Sequence, residues 1–204
     1  MNSEFKQAFL HLKKDEVMKY LIDKFQDKIS FNEYSYDNFA LSLSNLIIDQ
    51  QISFKAAKTI KERFALLIKD LSFNEICELD NNKIQAIGIS FRKVDYIKNI
   101  FKYFIKNANK FSNLNVNEMT KELISIKGVG KWTVEMFLMF ELKKLNIFSK
   151  GDIALINSVK RNYNIKNLED KELNKLIKIW SPYNTIACLL LWKSIEEKIF
   201  FNHN

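Results

Sequence analysis

Residues 122–142 read ELISIKGVGKWTVEMFLMFEL. Leu123 and Ile126 on one side, and Val134, Phe137 and Leu138 on the other, recur at helical spacing. Two helices therefore meet across the four residues Lys127–Gly128–Val129–Gly130, and the second starts at about Lys131. Two glycines around one small apolar residue permit a very tight turn, with Val129 tucked inward and the backbone exposed. The first-turn N–H groups of the second helix have no helical partner, and a helix N-terminus beside lysines is a ready phosphate site. A plain corner between two helices has the same spacing. The added signals are a helix on each side and Trp132-Thr133 directly after the turn.

The same helical reading extends outward. Ser90 precedes the apolar stripe Val94, Ile97, Phe101 and Phe104, and Gly88 reads as the stop of a preceding helix capped by Asp80. Phe39, Leu43, Leu46 and Ile47 form another stripe, broken near Asp49–Gln51 before a helix capped by Ser53. Two more helices are predicted over 168–180 and 183–198, with Pro182 suited to the first turn of the second. No stretch alternates as a strand would. One Pro and 4 Gly argue against a turn-rich β fold, so the class is all-α.

The chain has 204 residues, enough to bury roughly 70% of its unfolded surface without staples. The longest fully apolar run, Ile186 to Trp192, is far too short to span a bilayer, and the charged N-terminus lacks an apolar signal-peptide core. Cys77 and Cys188 stand apart, which excludes a disulfide scaffold and a four-cysteine metal site. The net charge of +8 comes from 32 Lys and Arg, of which only Arg63, Arg92 and Arg161 are arginine. Abundant Lys, Asn, Ile and Phe would follow from A/T-rich codons. The other source of such an excess is a polyanionic partner, since lysines displace counterions from phosphates.

The string IKGVGKWTVEMFLMF resembles the helix-hairpin-helix of the base-excision DNA glycosylases, and more narrowly the DNA-3-methyladenine glycosylase II branch. Further blocks agree in order: IIDQQISFKAAKTIKERF at 47–64, GISFRKVDYIKNIFKYF at 88–104, FSKGDIALINSVKR at 148–161 and WSPYNTIACLLLW at 180–192. The resemblance covers about residues 40–195. It implies two helical lobes with an active-site cleft between them, here as one compact core over 1–204. The hairpin occupies about 120–144, and no extra N-terminal domain is expected.

The resemblance carries roles onto particular residues. Asp152, 20 positions after Trp132, would otherwise read as an ordinary N-cap; here it matches the family's catalytic aspartate. Breaking an N-glycosidic bond builds positive charge on the sugar, which a carboxylate stabilises while orienting or deprotonating water. Members that also cut the strand carry a lysine second after the last hairpin glycine, where this chain has Trp132. Lys131 lies one position early and points about 100° away. A monofunctional enzyme is implied. Trp132 and Tyr183 hold positions that line the base pocket in the resembling family, where a flipped cationic base gains from electron-rich faces; Met136, one turn beyond Trp132, is the expected third wall, and core packing is the alternative for both rings. Trp180 and Trp192 are assigned to the core.

Lys127, Gly128, Val129, Gly130, Lys131 and Thr133 are the expected DNA contacts, with a monovalent cation at the hairpin carbonyls implied by resemblance only. The resemblance implies that the residue filling the gap left by the flipped base comes from Asp49–Gln50–Gln51–Ile52–Ser53; Gln51 is expected, with Gln50 and Ile52 as alternatives, unless these residues merely cap and knit two helices. Three departures stand out: Lys127 and Ser149 replace usual prolines, and Asn184 replaces a usual arginine. The expected partner is double-stranded DNA with alkylated bases, chiefly 3-methyladenine. The expected protein is a cytoplasmic, nucleoid-associated monomer that needs no cofactor and has no membrane association. A glycosylase for deaminated or oxidised bases, a non-catalytic DNA binder and a protein–protein module remain the alternatives.

Overall fold

The structure, a computed structural model, describes residues 3–31, 38–111 and 113–202. Every regular element among them is a helix, in chain order α1 (Ser3–Leu12), α2 (Glu16–Phe25), α3 (Phe39–Asp49), α4 (Phe54–Ile68), α5 (Phe73–Glu78), α6 (Asn81–Gln85), α7 (Phe91–Phe111), α8 (Val116–Ser125), α9 (Lys131–Phe140), α10 (Ile153–Asn162), α11 (Asp170–Trp180) and α12 (Asn184–Glu196). The all-α expectation holds. Contacts divide the chain into two units, Met1–Glu33 with Leu138–Asn204, and Tyr34–Phe137.

The unit of residues 34–137 is organised by α7. Its positions Val94, Ile97, Ile100, Phe101, Phe104 and Phe111 are buried at helical spacing and pack it against α3 and α5. Phe39 joins this face edge-on to Phe111 and Phe137, at ring-centroid distances of 5.5 and 5.6 Å. The caps follow the sequence: Ser53 accepts from Ala56 N–H at 3.3 Å and Asp80 from Asn82 N–H at 2.8 Å. Gly88 stands at φ +112 just after α6, where a left-handed backbone ends a helix.

The other unit is built around α12, whose residues Asn184 to Leu191 are all buried and which contacts α1, α2, α10 and α11. Such all-round burial explains why this helix has no polar face. A polar network locks α10 to α12. Ser158 donates to Leu191 O at 2.7 Å, Asn162 donates to Ser194 Oγ at 3.0 Å, and Phe201 N–H donates to Asn162 Oδ1 at 3.0 Å. Asp15 caps α2 through Met18 N–H and also accepts from the Tyr163 hydroxyl at 2.8 Å. Burial, reinforced by the Asp15 charge, pushes the Tyr163 hydroxyl well above its ordinary range.

Pro182 departs from expectation. It precedes Tyr183, the N-cap of α12, instead of entering the first turn. A residue before proline avoids the helical region, and Ser181 is accordingly extended at φ −61, ψ 137, so α11 stops at Trp180 and α12 starts only at Asn184. Trp180 is fully buried as expected, whereas Trp192 is half-buried with its ring 6.0 Å from that of Phe140.

The Tyr103 hydroxyl on α7 donates to Glu122 Oε2 on α8 at 3.0 Å. Burial, then the bond to Glu122 and its charge, raises this hydroxyl from 10.0 to about 12. A raised acid contributes stability that is full below its unfolded value and is lost as pH climbs through the folded one. Tyr103→Phe should therefore cost about 1 kcal/mol near neutrality, the usual net value of such a bond. The gap between parent and mutant, read as urea midpoints against pH, should close between pH 10 and 12.

Candidate nucleic-acid interface and catalytic carboxylate

The hairpin forms because its two glycines meet opposite surroundings. Helix α8 ends at Ile126, extended at ψ 117, and Val129 N–H returns to Ile126 O at 3.0 Å to close the turn. Gly128 stands at φ +105, and a Cβ placed there would lie 2.1 Å from Cγ of Tyr96. Only glycine fits, on both backbone and steric grounds. Gly130 is not left-handed, and a Cβ there would meet nothing within 4 Å. The open backbone face of the turn is thus at Gly130, while Gly128 is pressed inward on Tyr96 and Val129 is buried beside it. Lys131 is exposed, with Glu135 at 4.0 Å, a distance too long and too wet to tie up the ammonium. Lys127 is exposed, and its carbonyl accepts from Asn99 Nδ2 at 3.4 Å.

The segment after α3 lies beside this turn. Lys93 Nζ on α7 donates to Ile48 O at 2.9 Å and to Gln50 O at 2.7 Å, taking up carbonyls at the open end of α3. Desolvation lowers the Lys93 ammonium from its ordinary value, against the pull of Asp49 and with a push from Arg92. Gln50 Nε2 donates to Thr133 Oγ1 on α9 at 3.0 Å. Gln51 is exposed with φ +59, a left-handed backbone that non-glycine residues rarely adopt. An open cavity of about 380 Å³ separates this segment from the hairpin, lined by Gln50, Gln51, Arg92, Lys93, Tyr96 and Gly128–Gly130.

Asp152 lies in the other unit, half-buried, as the N-cap of α10, and its Oδ1 accepts from Leu155 N–H at 2.8 Å. The segment leading to it is pinned to the start of α12. Thr185 donates its hydroxyl to Lys144 O at 2.6 Å, its N–H to Leu145 O at 2.9 Å, and its Oγ1 accepts from Ile147 N–H at 3.1 Å. Asn184, at the position of the usual arginine, is buried and donates to Asn146 Oδ1 at 2.6 Å, so it braces that segment from within. Tyr183 is half-buried, its ring 5.5 Å from His11, whose Nε2 hydrogen-bonds Ile179 O at 2.9 Å.

The sequence matches the HhH-GPD superfamily base excision DNA repair protein family over residues 45–182. The chain belongs to this family. Among relatives of this HhH-GPD protein, DNA-3-methyladenine glycosylase 1 of Schizosaccharomyces pombe is 30% identical over 160 residues, covering 74% of this chain and 70% of that enzyme. YfjP of Bacillus subtilis is 32% identical over 162 residues, and the match spans 74% of this chain and only 56% of YfjP. The solved structure of the S. pombe 3-methyladenine DNA glycosylase Mag1 in complex with abasic DNA matches with a TM-score of 0.82 at 27% identity. That match covers 93% of this chain and 97% of the solved one.

The expected site residues thus fall into separate groups. Gln50, Gln51 and Gly128–Gly130 of the turn come together on one unit, with Ile52 exposed on the same segment. Asp152 and Tyr183 belong to the other unit. Trp132 is half-buried and Met136 is buried, both on the first turns of α9. Thr133, expected as a DNA contact, is buried and holds Gln50 instead, because its position on α9 faces inward. Gln50 is likewise tied inward. The motif did not point to Lys93 or Tyr96. The one available signal for Lys93 is its register, since it stands four residues before Ile97 and seven before Ile100 on the apolar stripe of α7.

No group of His, Cys, Asp or Glu able to hold a metal occurs among the described residues. A monovalent cation at the hairpin would have to take backbone carbonyls, of which Ile126 O and Lys127 O already accept from Val129 N–H and Asn99 Nδ2. Nor is any helix among the described residues long and apolar enough to cross a membrane.

Gly128→Ala should lower stability by more than about 2 kcal/mol, from left-handed strain plus the Tyr96 clash, whereas Gly130→Ala should stay within about 1 kcal/mol. Urea unfolding of both variants checks the contrast.

Proposed function

We propose that this chain is a monofunctional DNA glycosylase that flips an alkylated purine, chiefly 3-methyladenine, out of duplex DNA and hydrolyses its N-glycosidic bond. The observation that carries this reading is Asp152, a half-buried carboxylate fixed at the head of α10 by Leu155 N–H and by the pinned segment before it. As the bond to the base lengthens, positive charge develops on the deoxyribose, and a fixed carboxylate stabilises it without reorganising. The same group orients the water that completes hydrolysis and takes up its proton. Trp132, at the position where strand-cutting members carry a lysine, supports hydrolysis without a Schiff base.

The relatives named as DNA-3-methyladenine glycosylases support the substrate class. So does the chemistry of the lesion, since a cationic alkylated base stacks well on electron-rich rings such as those of Trp132 and Tyr183. Gly130 and Lys131 supply an open backbone N–H and a point charge for a DNA phosphate.

Asp152→Asn decides the reading, because asparagine caps a helix as well as aspartate does. The variant should keep its melting temperature and its DNA affinity while base release from methylated DNA falls by about two orders of magnitude or more. The released bases, separated chromatographically, identify the lesion; release of oxidised or deaminated bases alone would move the enzyme to another lesion class. Borohydride should trap no covalent adduct with DNA.

The hairpin has its own test. Lys131→Ala should weaken binding to damaged and undamaged duplex alike and lower the salt slope by about one. Unchanged affinity in a salt series would mean that the turn is a structural corner.

A further inference from the structure

The loop between α3 and α4 is four residues long, yet it is tied at both flanks of Gln51. On one flank the Lys93 ammonium holds Ile48 O and Gln50 O at 2.9 and 2.7 Å; Gln50 then reaches Thr133 Oγ1 at 3.0 Å. On the other flank Ser53 accepts Ala56 N–H as the cap of α4. Asp49, the last residue of α3, is paired with Lys61 of α4 at 2.8 Å. Between these ties Gln51 and Ile52 are exposed, and of the two Gln51 lines the cavity, in a left-handed backbone that survives only where the surroundings over-determine it. Its neighbours across the cavity are Gly128 and Gly130 of the hairpin.

We propose that Lys93 is a positioning residue for base flipping: its two bonds to Ile48 O and Gln50 O hold Gln51 as the side chain that enters the stack when the base leaves. The inference rests on the glycosylase reading. A lysine at a DNA-facing edge ordinarily contacts phosphate, whereas two of the three donors of Lys93 are committed to neutral carbonyls at the end of α3, in a partly desolvated place. The tie matters at the moment of flipping. Pushing a side chain into stacked bases meets a resisting load, and a loop free to swing would yield to it instead of displacing the base. Displacements of about 1 Å in such supports cost up to about 100-fold in rate.

The test uses the full chain and a synthetic duplex carrying one 7-methylguanine, compared with the same lesion in a one-nucleotide bulge, where unstacking is already done. Lys93→Met keeps the length and removes the donors. Its single-turnover release from the paired duplex should fall about 10- to 100-fold, and its release from the bulge by less than about threefold. Gln51→Ala should show the same paired-only loss, and the double variant should be no slower than Gln51→Ala, because the lysine acts through that side chain.

Parental release by folded Lys93→Met, equal losses on both substrates, or additive losses in the double variant would each overturn the proposal. Should Lys93→Met fail to fold by circular dichroism, Lys93→Gln carries the same test, since it keeps a donor too short to reach both carbonyls. A second readout stands apart from base release: 2-aminopurine beside the lesion brightens when the stack opens. A parent that brightens without releasing base overturns the glycosylase reading alone. Equal brightening by parent and Lys93→Met overturns the role of Lys93.

Discussion

The hairpin depends on one missing side chain. With the ring of Tyr96 occupying the space where a Cβ of residue 128 would stand, the turn and α7 can meet only if that residue is glycine. From this contact the rest of the unit closes as a ring of supports. Tyr96 holds the turn against α7, α7 carries Lys93 to the carbonyls at the end of α3, and Gln50 returns from that loop to Thr133 on the helix that follows the turn. No single bond in the ring is large, since each hydrogen bond nets about 1 kcal/mol. Closure gives it meaning: the hairpin turn and the loop of Gln51 are coupled, because each is referred to α7.

In the proposed mechanism Asp152 makes one local rule serve two ends. An aspartate before a helix is stabilising by itself, because its oxygen satisfies a first-turn N–H. That bond also freezes the carboxylate in one orientation, which electrostatic stabilisation of a developing charge requires. The support continues outward through Thr185, which fastens the backbone of Lys144, Leu145 and Ile147, and through the Asn184–Asn146 pair. An arginine in place of Asn184 would bring a long charged side chain to a position that here is buried. In this chain the position has become part of the frame that carries Asp152.

What could be read from the sequence was local. Ser53, Asp80 and Asp152 announce helix starts through short hydrogen bonds to residues two or three ahead, and Gly88 and Gly128 announce left-handed backbone. The stripe on α7 is periodic, so its core face was legible. What escaped was long-range. Lys93 meets Ile48 and Gln50 across more than forty positions, and Gln50 meets Thr133 across eighty-three. No propensity or period encodes such pairs, so Thr133 read as a DNA contact when it is a buried strut. The three candidates at the loop looked alike for the same reason. Fold separates them: Gln50 is tied inward, Ile52 and Gln51 are exposed, and of these Gln51 lines the cavity beside the hairpin.

The lysine excess and the shape of this loop bear on different steps. Many scattered lysines raise the local concentration of a polyanion and speed encounter, but a field of that kind does not depend on which base is damaged. Discrimination must come from groups held in fixed places, whose displacement costs rate. Lys93 belongs to that second class although its residue type suggests the first, since two of its donors are bonded to backbone carbonyls at the end of α3. In the proposed mechanism this lysine acts less through its charge than through the loop it fixes, the one whose Gln51 would enter the stack when the base leaves.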